Sequence, residues 1–246
     1  MSASTAVLRA EARLIGRHRA GVFWVVAFPT LLLTVLGLLP AFRTPDPALG
    51  GLRMVDAYVP VLVLLAVIMS GTQVMPGFLV GYREQGILRR MSTTPVRPLT
   101  LLTAQIVLHT VVALGSAVLV VAVGRLVHGV ALPRHLPGYT VALALAALVA
   151  LALGTVLAAF APNTRLATTA ATVAFFPLAV SAGLWGPVQV LPETARRVLG
   201  FTPFGAGARA LDQAMRGDWP DWSLLGVTVL WTLLLVATAA RWFRWE

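Results

Sequence analysis

The chain has 246 residues, 58% of them hydrophobic, against roughly 45–50% in a soluble domain, and that composition argues against a water-soluble globule. All 19 basic residues are arginine, cysteine is absent, and the formal charge is +10; disulfides, thiol nucleophiles, lysine Schiff bases and the lysine-dependent nucleotide loop G-x-x-x-x-G-K-[ST] are therefore excluded. In so apolar a chain, clustered arginines point to anionic lipid and not to nucleic acid.

Residues 1–20 precede the first apolar run. On a helical wheel Val7, Leu8, Leu14 and Ile15 share one arc while Arg9, Arg13 and Arg17 occupy the opposite one, the pattern of an amphipathic interfacial helix. Glu11 and His18 lie within the apolar arc, which suits packing against protein better than floating on lipid.

Six segments free of Asp, Glu and Arg follow, over residues 21–39, 58–82, 99–123, 139–160, 166–184 and 222–240. About 20 helical residues cross a hydrocarbon core of about 30 Å, and a charge at mid-span costs roughly 2.5–3.5 kcal/mol. Six transmembrane helices are therefore expected, and the absence of strict alternation disfavours a β-barrel. The side holding residues 1–20, 83–98, 161–165 and 241–246 carries 11 arginines in 47 residues, against 8 in 70 on the other. The positive-inside rule thus places both termini in the cytoplasm. The first run is too long for a cleaved leader and ends without a small-residue cleavage pattern.

Between the second and third runs, residues 83–98 place Glu84, Ile87, Leu88 and Met91 on one helical face, with Arg83 and Arg90 on another. Gly86 weakens this helix and Pro95 ends it. A short greasy face ringed by arginines reads as a docking knob. Residues 185–221 are too long for a bare connection. Phe204, Ala208, Leu211 and Met215 form an apolar stripe there, and Asp212 can pair with Arg216, so an outer helical hairpin is expected. Pro29, Pro76 and Pro177 remove helix donors within the runs, and Gln73, Gln105 and His109 are the main polar side chains at depth.

The apolar runs contain no carboxyl group, and neither an H-E-x-x-H nor a G-x-S-x-G pattern occurs. Proton-coupled transport and intramembrane catalysis therefore lack their usual groups. Uphill transport would need energy from another chain, entering through the segment around Glu84 to Met91.

The chain resembles the ABC-2 family of membrane permeases, especially daunorubicin-resistance-type bacterial drug exporters. The likeness rests on Glu11-Ala12-Arg13 before Phe23-Trp24 and Phe28-Pro29, and on the charged turn from Arg83 to Arg90 followed by Thr94-Pro95. Phe176-Pro177, Ser181-Ala182-Gly183, Leu191-Pro192, Thr202-Pro203 and Arg209-Ala210-Leu211 extend it. The family's aromatic residue after the outer-loop proline is missing from Pro192-Glu193-Thr194-Ala195.

The resemblance implies an all-α integral membrane protein forming a single domain over residues 1–246. Its parts are a connecting helix (residues 5–19), six spans, a cytoplasmic coupling helix and an outer re-entrant hairpin. It also implies a bacterial plasma-membrane location, two permease copies, most simply a homodimer, and two separate ABC ATPase subunits. ATP and Mg belong to those partners, and this chain needs no cofactor or metal and has no catalytic residue. Glu84 would make polar contacts in a groove of the ATPase, Ile87, Leu88 and Met91 would pack there, and Arg89 and Arg90 would meet acidic groups or lipid phosphate. Arg9, Glu11, Arg13 and Arg17 of the connecting helix would complete the contact.

The expected cargo is an amphiphilic or apolar drug-like molecule, in a cavity edged by Met69, Thr72, Gln73, Phe175 and Phe176. Lipid or lipid-linked glycan is the second choice of cargo. A membrane anchor that binds the same ATPase without passing solute is the rival from another class, and a nucleotide-independent channel or ion-driven transporter is another.

Overall fold

Apolar runs with few helix breakers form helices in the computed structural model, which describes residues 3–87, 90, 98–187 and 191–242. The described residues are helical apart from turns and one isolated antiparallel bridge, Pro45 to Arg53. Helix α1 is Ala3–Arg17. The apolar helices are α2 (Arg19–Leu38), α3 (Met54–Glu84), α4 (Pro98–His128) and α5 (Leu136–Phe160). They are followed by α6 (Thr164–Ser181), α7 (Glu193–Gly200), α8 (Pro203–Arg216) and α9 (Trp222–Trp242).

Five of these, α2, α3, α4, α5 and α9, are long and apolar enough to cross a membrane. The remaining expected run, residues 166–184, corresponds to α6, which does not reach the same measure. It has 18 residues, and Arg165 with Thr164, Thr168, Thr169 and Thr172 makes it less apolar than its neighbours.

Helix α3 is the axis of the bundle. From Val55 to Thr72 nearly every residue is buried, whichever way it points, which is why its apolar residues show no single face. It meets α5 at a seam of small residues. A Cβ on Gly154 would overlap the Gly71 carbonyl and lie 2.9 Å from its carbon, and a Cβ on Gly71 would lie 2.8 Å from Ala150 Cβ. Bare Cα atoms let the two backbones touch, the usual way to pack helices where lipid is as apolar as leucine.

Two of the three prolines singled out in the sequence sit just after wide π turns, Phe23–Ala27 before Pro29 and Met69–Val74 before Pro76. A proline ring clashes with the carbonyl four residues back and gives it no N–H, and widening the turn relieves the clash. The carbonyl orphaned by Pro29 is that of Val25, and the buried Ser116 Oγ donates to it at 2.6 Å, joining α4 to α2.

At the end opposite α1, α7 and α8 pack beside the starts of α3, α5 and α9. Thr202 caps α8 by accepting from the Gly205 amide at 3.1 Å, Pro203 occupies its first turn, and Gly217 ends it with φ of 111°. Phe204, Ala208 and Leu211 are buried and Met215 is half-buried. Arg53 and Asp56 form a capping box at the start of α3, with a 2.7 Å ion pair. Asp56, by accepting from the guanidinium, raises the Arg53 pKa above its ordinary value, while Arg53 Nη1 donates to the His128 carbonyl at 3.0 Å.

Candidate functional site

The sequence marks the end carrying α1 as the place where a partner could act, and a cluster of polar contacts between elements gathers there. Arg9, Arg13 and Arg17 are exposed, while Glu11 and Ile15 are buried. Glu11 meets protein: Tyr82 Oη donates to its Oε2 at 2.5 Å, Gln105 Nε2 donates to the same oxygen, and Gln105 Nε2 also reaches Tyr82 Oη at 3.3 Å. One carboxyl group thus ties α1 to the end of α3 and the start of α4. A hydrogen-bonded triad this deeply buried is costly to leave half made. Val7 and Ile87 pack around Tyr82 and Leu101 beside it.

Arg83 and Glu84, the last two residues of α3, straddle the turn between α5 and α6. Arg83 Nη1 donates to the Ala158 carbonyl at 3.4 Å and Nη2 to that of Ala161, at the carbonyl end of α5. Glu84 accepts from the Thr164 amide at 3.1 Å and from Thr164 Oγ1, at the amide end of α6. A cation on exposed carbonyls and an anion on exposed amides both complement the helix dipoles. The adjacent charges therefore act as a clamp on two further helices.

This differs from the expected continuous face over Glu84, Ile87, Leu88 and Met91. Helix α3 stops at Glu84, Gln85 caps it, and Gly86 has φ of 65°, a left-handed conformation that glycine adopts without steric cost. Beyond it the Arg90 amide bonds to the Gly86 carbonyl at 3.0 Å. Glu84 consequently belongs to α3, where it is exposed and accepts from Thr164. Ile87 is half-buried and Arg90 is exposed. Leu88, Arg89, Met91 and Pro95, expected at the same contact, lie outside the described residues.

Two polar contacts at depth join helix to helix. Gln73 Nε2 donates to the Ala171 carbonyl at 2.9 Å, joining α3 to α6. Ser70 Oγ lies 3.2 Å from His109 Nδ1 and donates to the His109 carbonyl at 3.0 Å, joining α3 to α4. Phe78 packs edge-on to both His18 and His109. His18 also caps α2, accepting from the Gly21 amide at 3.1 Å.

Of the five expected cavity residues, two are placed elsewhere. Met69 and Thr72 are buried inside the bundle, and the Thr72 hydroxyl bonds back to the Ile68 carbonyl at 2.8 Å, because the close α3–α5 seam fills that side. Gln73 and Phe175 are half-buried and Phe176 is exposed, stacking with Phe175 and Trp185. The open face of α6 carries Thr168 and Thr172 toward the α1 end and Phe176 and Val180 toward the other, while Phe175 lies in the row of the buried Ala167, Ala171 and Ala179. Each threonine hydroxyl bonds back to a carbonyl four residues earlier.

A helical bundle with several apolar spans, few polar groups at depth and an amphipathic helix locked onto one end defines a polytopic membrane protein of the permease type. Over residues 44–241 the chain matches the family model described as ABC-2 family transporter protein, and it belongs to that family. No individual curated protein shows a significant match. Membership makes the chain a membrane permease subunit of an ABC transporter, a system with an ATPase partner.

Proposed function

We propose that the chain is one transmembrane half of an ATP-driven exporter of amphiphilic or apolar molecules in a bacterial plasma membrane. A second copy completes it, and two ATPase subunits drive it from the cytoplasmic side, where the arginine distribution places both termini. On this reading α6 counts as a sixth span, its threonines facing the pathway between copies, where water and cargo alternate, instead of lipid. Gln73, Phe175 and Phe176 edge that pathway and offer aromatic area with one amide, which suits a drug-like amphiphile better than an ion.

The observation that carries this reading is the pair of ties at the α1 end. Force applied to α1 reaches α3 and α4 through Glu11, and force applied beyond Gly86 reaches α5 and α6 through Arg83 and Glu84. The two segments expected to meet the ATPase are thereby joined to four other helices. The ATPase binds the knob formed by residues 87–91 together with α1, hydrolyses MgATP in its own sites, and rocks the helices to expose the pathway to each side in turn.

The test is a pair of substitutions assayed with the co-assembled ATPase at matched expression. Exposed charge pairs are worth about 0–1 kcal/mol, less than a docked apolar face. Leu88→Asp therefore abolishes coupled transport while membrane insertion persists, and Arg90→Ala has the smaller effect. Equal transport by wild type and Leu88→Asp would refute the docking site.

A further inference from the structure

A cavity of about 410 Å³ opens at the end of the bundle opposite α1, and nothing in the exporter reading uses it. Its floor is apolar and comes from the first two turns of α3, Ala57, Pro60 and Val61, with Leu49 from the preceding loop. Its wall is α8 and the start of α7, which bring Arg196, Arg209 and Arg216 to the same space.

Three guanidinium groups there face one carboxyl group. Asp212 holds Arg216 at 3.1 Å, and the nearby Gln213 is engaged by Asp221, donating to Oδ2 at 2.7 Å and accepting from the backbone amide at 2.9 Å. Among the described residues Arg196 and Arg209 form no ion pair. Arg197, next in sequence, does: it pairs with Glu193 on α7. Arg209 is half-buried, and its Nη1 would lie 2.8 Å from a Cβ on Gly200, so the glycine leaves room for the guanidinium at the junction of α7 and α8.

Two guanidiniums without acidic partners above an apolar floor match an oxyanion joined to a hydrocarbon body. Arginine's planar fork fits phosphate in two-point fashion. The floor lies in the first turns of an apolar span, the depth at which a headgroup gives way to acyl chain. We propose that this cavity binds the phosphate headgroup of an anionic phospholipid, with Arg196 and Arg209 on the phosphate and the glycerol and upper acyl carbons against Pro60 and Val61. This goes beyond the exporter reading and does not depend on it, since binding to the isolated permease is measured without any ATPase.

The test is equilibrium binding of dihexanoyl phosphatidylglycerol, dihexanoyl phosphatidylcholine and inorganic phosphate to the full chain in a neutral detergent. Wild type is expected to prefer phosphatidylglycerol to phosphatidylcholine by about tenfold, the effect of roughly one charge-assisted contact. The double variant Arg196→Gln with Arg209→Gln should lose that preference. Arg134→Gln with Arg197→Gln, which removes the same total charge outside the cavity lining, should keep it. Equal binding of the two lipids by wild type would overturn the proposal, as would an unchanged preference in the Arg196 and Arg209 variant. Inorganic phosphate competing as well as phosphatidylglycerol would overturn it too, since the apolar floor would then contribute nothing. If the double variant does not fold, wild type decides alone: the preference should shrink as salt rises, and a salt-independent preference would count against the arginines.

Discussion

Gly154→Ala adds one methyl group at the tightest point of the α3–α5 seam. The new Cβ would overlap the Gly71 carbonyl oxygen and stand 2.9 Å from its carbon and 3.2 Å from Met75 Cε, where carbon atoms prefer about 3.5–4.0 Å. The two nearest obstructing atoms, the Gly71 carbonyl oxygen and carbon, are backbone and cannot rotate away, so α3 and α5 must separate and loosen contacts along the seam. Overpacking of this kind costs about 1–3 kcal/mol. At about 2–4 °C per kcal/mol for a chain of this size, the midpoint should fall by about 2–12 °C. Thermal unfolding of the purified chain in detergent reads the shift. Gly115→Ala is the control, because nothing lies within 4 Å of a Cβ there, and it should be neutral or stabilising by up to about 1 kcal/mol through helix propensity. Identical midpoints for the two variants would refute the close approach of the helices.

Three further outcomes follow from the polar ties. Glu11→Ala strands Tyr82 Oη and Gln105 Nε2 and should cost about 1–3 kcal/mol in thermal unfolding; in the assembled transporter it should leave ATP hydrolysis running while transport falls, with Glu11→Gln milder on both. Ser116→Ala removes the donor to the Val25 carbonyl and should destabilise by about 1 kcal/mol, whereas Ser116→Thr keeps the hydroxyl; equal midpoints for the two variants would show that the bond contributes nothing. Glu84→Ala should speed hydrogen exchange of the first amides of α6, because the carboxyl that accepts from Thr164 is gone, and Arg90→Ala should not.

The apolar helices were legible because hydrophobic runs between arginine clusters have few alternatives to crossing a bilayer. The buried placement of Glu11 was foreshadowed by its position on the apolar arc of α1, although Tyr82 and Gln105, its partners, are 71 and 94 residues away and nothing local names them. The break after Glu84 was not legible, because spacing places Glu84 on a common face with Ile87 only if the helix is continuous. Gly86 reads as a weak helix residue in a sequence and as a turn in three dimensions. Met69 and Thr72 were misplaced for a related reason: on a helix apolar all round, composition cannot say which side meets another helix. The outer cavity escaped notice because Arg196 and Arg209 come together with Pro60 and Val61 only after α8 folds against α3.

Reconstitution of the purified chain into liposomes, with and without its ATPase, measures the source of energy directly. A bundle whose apolar runs contain no carboxyl group, and which has no nucleotide loop, should accumulate no cargo against a gradient alone, and should do so with the ATPase and MgATP in a vanadate-sensitive manner. Uphill accumulation by the permease alone, with no nucleotide present, would contradict the account.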